Sequence, residues 1–121
     1  MHRDPREVFF LIGPDGVVLF RDEGDGPAYI PDSRARWEAI WESRDTLVEL
    51  AHSHPVGPLA FSHEDVTTMD ALESALGRAL VFSVVSPEGM IRRQDGAVTR
   101  VEAEPGWADE LRRASAMAPH T

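Results

Sequence analysis

Apolar residues come in short runs separated by turn clusters, and the spacing inside the runs changes along the chain. Val8 to Ile12 and Val17 to Phe20 flank Gly13-Pro14-Asp15-Gly16, which predicts a β-hairpin. DEGDGP, Asp22 to Pro27, predicts a loop or a wide connection. Beyond it Trp37, Ile40 and Trp41 fall at i, i+3 and i+4, on one face of a helix with Asp32 or Ser33 as N-cap. Core packing is the expected use of that face; an exposed tryptophan clamp for a ligand is the alternative.

Thr46 to Ala51 predicts a strand leading into His52, and the prolines and glycine of HPVGPLAF predict irregular chain. From Ser62 the period returns to that of a helix, with Val66, Met69, Leu72 and Leu76 on one side and Gly77 to end it. Leu80 to Val85 predicts a buried strand and SPEG a turn. Met90 to Arg93 and Ala97 to Val101 flank Gln94-Asp95-Gly96, a hairpin signal. Trp107, Leu111 and Ala114 predict a last helix, and APHT a frayed end. The order β-β-α-β-α-β-β-β-α, without repeats or linkers, predicts one α/β domain over residues 1–121 with a mixed sheet.

Composition narrows the chemistry. With 121 residues, 42% of them hydrophobic, the chain can bury a core without disulfides. It has no cysteine, so any metal must be held by His, Asp or Glu. No stretch approaches a membrane span and the first residues lack an apolar signal core, which makes a cytoplasmic location the expectation. A formal charge of −9 argues against nucleic acid as the main ligand.

One segment concentrates the candidate chemistry: His52-Ser53-His54-Pro55, six residues, then Ser62-His63-Glu64-Asp65. Histidines at i and i+2 on a strand end point to the same side, so both imidazoles can reach one ion. Pro55 turns the chain into a loop, and the loop returns at a helix start where Asp65 can offer a carboxylate. Two imidazoles and a carboxylate suit zinc and leave a fourth position for water. Ser62 is placed to hydrogen-bond a developing oxyanion. Ser62-x-x-Asp65 is also a helix N-cap pattern, and Ser62 can do both jobs. Helix geometry turns His63 away from the ion, while His2 and His120 lie near the chain ends.

HSHPVGPLAFSHED, residues 52 to 65, resembles the signature of the JAB/MPN (JAMM) metalloprotease family: His-x-His-Pro, six residues, then Ser-x-x-Asp. The resemblance extends from about Pro5 to Val101. It implies an MPN/JAB-type mixed sheet flanked by helices in a cytidine-deaminase-like three-layer arrangement. It also implies one catalytic Zn2+ on His52, His54 and Asp65, with Ser62 as oxyanion partner. The implied reaction is cleavage of amide or isopeptide bonds at the C-terminal tail of a ubiquitin-like or sulfur-carrier β-grasp protein. The family places a general-base glutamate after a proline at the start of an early apolar strand, which points to Glu7 in Pro5-Arg6-Glu7-Val8. Glu23, Glu38 and Glu42 are the rivals, while Glu49, on the strand of His52, is expected to face out. The family's usual N-terminal helix is missing ahead of Glu7, and Phe9-Phe10 stand where Cys-Gly is usual. The short loop before Ser62 is similar to that of compact prokaryotic members. A non-catalytic MPN scaffold is the competing expectation. His-x-His barrels of the amidohydrolase type need about 200 residues or more and do not fit.

Overall fold

The structure, a computed structural model, describes residues 5–23 and 34–117. Strands β1 (Val8–Ile12) and β2 (Val18–Glu23) form the first hairpin around a single turn at Pro14–Gly16. Asp15 and Gly16 take positive φ there (59° and 75°), a conformation that Asp tolerates and Gly adopts freely. Helix α1 (Arg34–Glu42) precedes β3 (Glu49–Ser53), and α2 (His63–Leu76) joins β3 to β4 (Val81–Ser86). β5 (Gly89–Gln94) and β6 (Ala97–Arg100) follow, then α3 (Gly106–Ala114). Asp95 and Gly96 both carry positive φ at the β5–β6 turn, as a two-residue hairpin turn requires.

The six strands form one sheet in the order β2-β1-β3-β4-β5-β6. Only β3 and β4 run parallel, because α2 carries the chain back across the sheet between them; every other pair is antiparallel. The fold is therefore mixed α/β, with six strands and three helices among the described residues. The sheet separates two cores. On one face α3 packs Trp107, Ala108 and Leu111 against Val8, Phe10, Ile12, Ala51, Val85 and Met90. On the other, Ile40 of α1 and Met69 and Leu72 of α2 pack against Leu11, Leu50 and Phe82. Alternation along β3 explains the division, since Leu50 and His52 face α1 and α2 while Ala51 faces α3.

Four expectations need correction. Trp37 and Trp41 do not pack into the core: they are 42% and 57% exposed, and Ile40 alone of that triplet is buried. A nine-residue helix lying on a sheet buries a narrow stripe, and Ile40 takes it. Trp41 instead carries the Arg44 guanidinium 4.2 Å above its ring. The third strand starts at Glu49 rather than Thr46, which lies in a turn. Glu49 is not out-facing but buried, paired with Arg92 of β5 (Nε to Oε2, 3.0 Å) and accepting the Ser83 hydroxyl. Standing three residues before His52, it points to the opposite side of the sheet. Asp22 and Glu23 belong to β2 rather than to a loop. Residues 24–27, the expected caps Asp32 and Ser33, the APHT end, His2 and His120 lie outside the described residues. Among the described residues no helix is long and apolar enough to cross a membrane.

Candidate metal centre

His52 stands in β3 and His54 just beyond it, where the His54 N–H bonds the Val85 carbonyl (2.8 Å) and prolongs the parallel pairing. The extended backbone therefore persists through both residues, and their rings fall on the same face. Their Nε2 atoms are 3.0 Å apart. At that separation at most one carries a hydrogen. The His54 Nδ1 lies 3.2 Å from the Pro58 carbonyl oxygen. A carbonyl only accepts, so Nδ1 holds the proton and Nε2 presents a lone pair.

Helix α2 delivers the carboxylate. Ser62 is its N-cap: the Asp65 N–H donates to Ser62 Oγ (3.0 Å), and the Ser62 N–H donates to Asp65 Oδ2 (2.8 Å). This reciprocal box fixes the Asp65 side chain in the first turn. Its Oδ2 lies 3.6 Å from His52 Nε2 and 3.9 Å from His54 Nε2. The expected cap and the expected ligand are thus one arrangement. Ser62 Oγ accepts within the box, which leaves its own hydrogen to donate.

All three side chains are partly buried, and their ligand atoms lie within 4.8 Å of one another. Ligands 2.0–2.2 Å from a tetrahedral zinc stand about 3.3–3.6 Å apart. Separations of 3.0, 3.6 and 3.9 Å bracket that range, so small movements would close the set around an ion. Electrostatics agree. Burial raises the Asp65 carboxyl, but the hydrogen bond and charge of His52 and the two bonds to Ser62 outweigh it and hold the group well below the usual carboxylate range. Burial, then the neighbouring His52, push the His54 imidazole down, against the Pro58 carbonyl and Asp65. A carboxylate kept ionised and an imidazole kept neutral are the protonation states that a divalent cation needs.

Glu7 enters just before β1, with Oε1 4.0 Å from His54 Nε2 and its side chain 17% exposed. The structure brings Glu7, His52, His54, Ser62 and Asp65 around one cavity. Of the rivals, Glu38 pairs with Arg34 and Glu42 is exposed, while the Glu23 side chain lies outside what the structure describes; His63 is exposed.

Two supporting groups escaped the sequence reading. One is the Pro58 carbonyl, which nothing in the sequence singles out. The other is Ser53, whose buried Oγ accepts the Val8 N–H (2.7 Å) and donates to the Arg6 carbonyl (3.4 Å). Ser115 also donates to that carbonyl, and the Arg6 N–H bonds the Ser115 carbonyl (2.9 Å). The peptide groups on both sides of Glu7 are therefore pinned to the strand that carries the histidines. Strand parity gave the only clue, since a residue between two in-facing histidines must face the other way.

Comparison with protein-family models gives no match, and comparison with curated proteins gives none either. The functional reading rests on the geometry just described and on the chemistry of its donor atoms.

Proposed function

We propose that the protein is a zinc-dependent peptidase or isopeptidase of the JAB/MPN type, with His52, His54 and Asp65 as metal ligands. The observation that carries this reading is the convergence of two imidazole Nε2 atoms and a carboxylate oxygen from a strand tip and the following helix. The mixed sheet, with helices on both faces and the motif at the β3–α2 junction, supports an MPN-type architecture in three layers. When bound, zinc polarises a carbonyl oxygen and lowers the pKa of a water toward about 7. Glu7 Oε1 borders the same space and takes the proton, then returns it to the leaving nitrogen. Ser62 Oγ donates a hydrogen bond to the oxygen on which negative charge develops. The proposed substrate is the C-terminal tail of a ubiquitin-like or sulfur-carrier β-grasp protein.

Two measurements test this. The purified chain is expected to hold one zinc, and at a free zinc concentration a thousand times Kd the ion should stabilise it by about 4 kcal/mol. His52→Ala and Asp65→Asn should abolish both effects. A β-grasp fusion should be cut by the zinc-loaded protein and not by Glu7→Gln, which should retain its zinc. A chain that takes up no zinc and melts identically with and without chelator would point instead to a non-catalytic scaffold.

A further inference from the structure

Neither the core nor the metal chemistry accounts for the tryptophans of α1. Trp37 is 42% and Trp41 57% exposed. They stand at i and i+4, about 6 Å apart along the helix axis. Trp37 borders the pocket that holds the metal cluster. Trp41 borders a second pocket with Arg44, Asp45, Ala75, Leu76 and Arg78, at the C-terminal end of α2. The two indoles thus form a strip that starts beside the cluster and leads away from it. At its far end the Arg44 guanidinium lies 4.2 Å above the Trp41 ring and donates to the Trp41 carbonyl (2.6 Å). Arg78 donates to the carbonyls of Arg44 (2.6 Å) and Leu47. Carbonyls do not neutralise a guanidinium, and neither arginine forms an ion pair among the described residues. Asp45 is the only carboxylate lining that pocket among the described residues. The strip therefore ends in a small excess of positive charge on a chain whose net charge is −9.

We infer that this strip docks the folded body of the protein whose C-terminal tail is cut at the metal cluster, with Trp41 and Arg44 meeting an apolar patch bordered by carboxylates. The inference rests on the hydrolase reading and adds where the body of its substrate sits. Tryptophan and arginine are the side chains that most often dominate protein–protein binding energy, and here they are stacked on one another in the open. The spacing fits a tail. Leu76, beside Trp41, lies about 16 Å beyond Asp65 along the axis of α2. An extended chain covers that span in about five residues, so a body held at Trp41 can feed its tail to the cluster without unfolding. A second copy of this chain suits the strip less well. A two-fold contact centred on Trp41 would set the arginines of both copies against each other, and like charges across an interface are unfavourable.

The tryptophans provide a readout that needs no metal. Trp107 is 5% exposed in the core under α3, on the other face of the sheet, and serves as the internal control. In the metal-free full chain with 15N-labelled indoles, a β-grasp domain fused through its tail to a reporter should shift the Trp41 and Trp37 resonances and leave Trp107 in place. A peptide copying the tail alone should not move Trp41. With zinc bound, kcat/KM for the folded fusion should exceed that for the tail peptide by about ten- to a hundredfold. In Trp41→Ala and in Arg44→Glu the two substrates should draw level; a preference that survives both variants overturns the docking surface. Removing three tail residues next to the fold, with those at the bond retained, should also abolish the preference, and an unchanged preference overturns the placement. If the fusion is cut while Trp41 stays unmoved, the docking surface fails and the hydrolase reading stands. If Trp41 shifts but zinc brings no cleavage, the hydrolase reading fails and the docking surface stands; neither response sinks both. A chain that sediments as a dimer and becomes a monomer on Trp41→Glu would assign the strip to a second copy and overturn the proposal.

Discussion

The two faces of the sheet are built to different ends. On the α3 face the apolar cluster around Trp107 and Leu111 is buried, and even a charge is sealed in. Arg112 is 1% exposed and bonds Glu104, Asp109 and the carbonyls of Ser86 and Gly89. On the α1–α2 face the helices border an open pocket, two tryptophans are exposed, and His52, His54 and Asp65 converge at the pocket. A buried arginine with four partners locks one conformation. Two imidazoles with Nε2 atoms 3.0 Å apart and a carboxylate 3.6 Å from one of them bring three donor groups to one point. The difference teaches where to look for function: in the region where donor atoms from separate elements converge beside open space.

The sharpest way to break this comparison is to measure both faces by one method. Arg112→Met removes the donor that Glu104, Asp109 and the Ser86 and Gly89 carbonyls share, and breaking such a buried pair costs about 3–5 kcal/mol. Against a typical domain stability of about 5–15 kcal/mol, the urea transition should move far down or vanish. Trp37→Ala, on the open face, should cost less than about 1 kcal/mol. Equal losses would mean that the open face is as tightly organised as the sealed one.

Much of the open face was legible in the sequence because its signals are local. Ser62, Asp65 and Gly77 mark the ends of α2 within one segment, and the two histidines need only strand parity to be paired. The sealed face was not. Arg112 and Arg113 read as polar residues beside the apolar face that Leu111 marks, and nothing near Arg112 announces that Glu104 and the β4–β5 turn will enclose it. The burial of Glu49 depends on Arg92, 43 residues away, and on the adjacency of β3, β4 and β5, which sequence patterning does not give. The tryptophans of α1 failed for a related reason: three apolar positions on a short helix span a wider arc than the sheet can cover, and periodicity does not say which is left out.

A smaller effect tests whether the sealed face positions the open one. Ser53 reaches across β1 to hold the peptide groups flanking Glu7. Ser53→Ala leaves the buried Val8 N–H without its acceptor, a loss of about 1–3 kcal/mol. If the serine also sets the position of Glu7, kcat should fall while zinc content and KM stay unchanged, and Ser53→Thr, which keeps a hydroxyl, should recover part of the rate. A loss of stability with unaltered kcat would reduce Ser53 to a packing residue.

The smallest expected effect is on the pH dependence of the metal-free protein. Folding lowers the pKa of the His54 imidazole, chiefly through burial and then through His52, so the unfolded chain binds a proton that the folded chain resists. The corresponding stability is fully present above about pH 6.5, the ordinary histidine value, and is lost as pH falls through the folded value. Asp65, also held low, acts in the same direction further down: its contribution is present above about pH 4 and is lost as pH falls through its own lower value. The Arg112 pKa is raised, because Glu104 and then Asp109 outweigh its burial, and that guanidinium stays charged throughout this range. The melting temperature should therefore fall in two steps on acidification. His54→Gln should remove the upper step, whereas Arg112→Met should lower the whole curve and keep its shape. An upper step that survives His54→Gln would place the responsible group elsewhere and remove the pH signature from the open face.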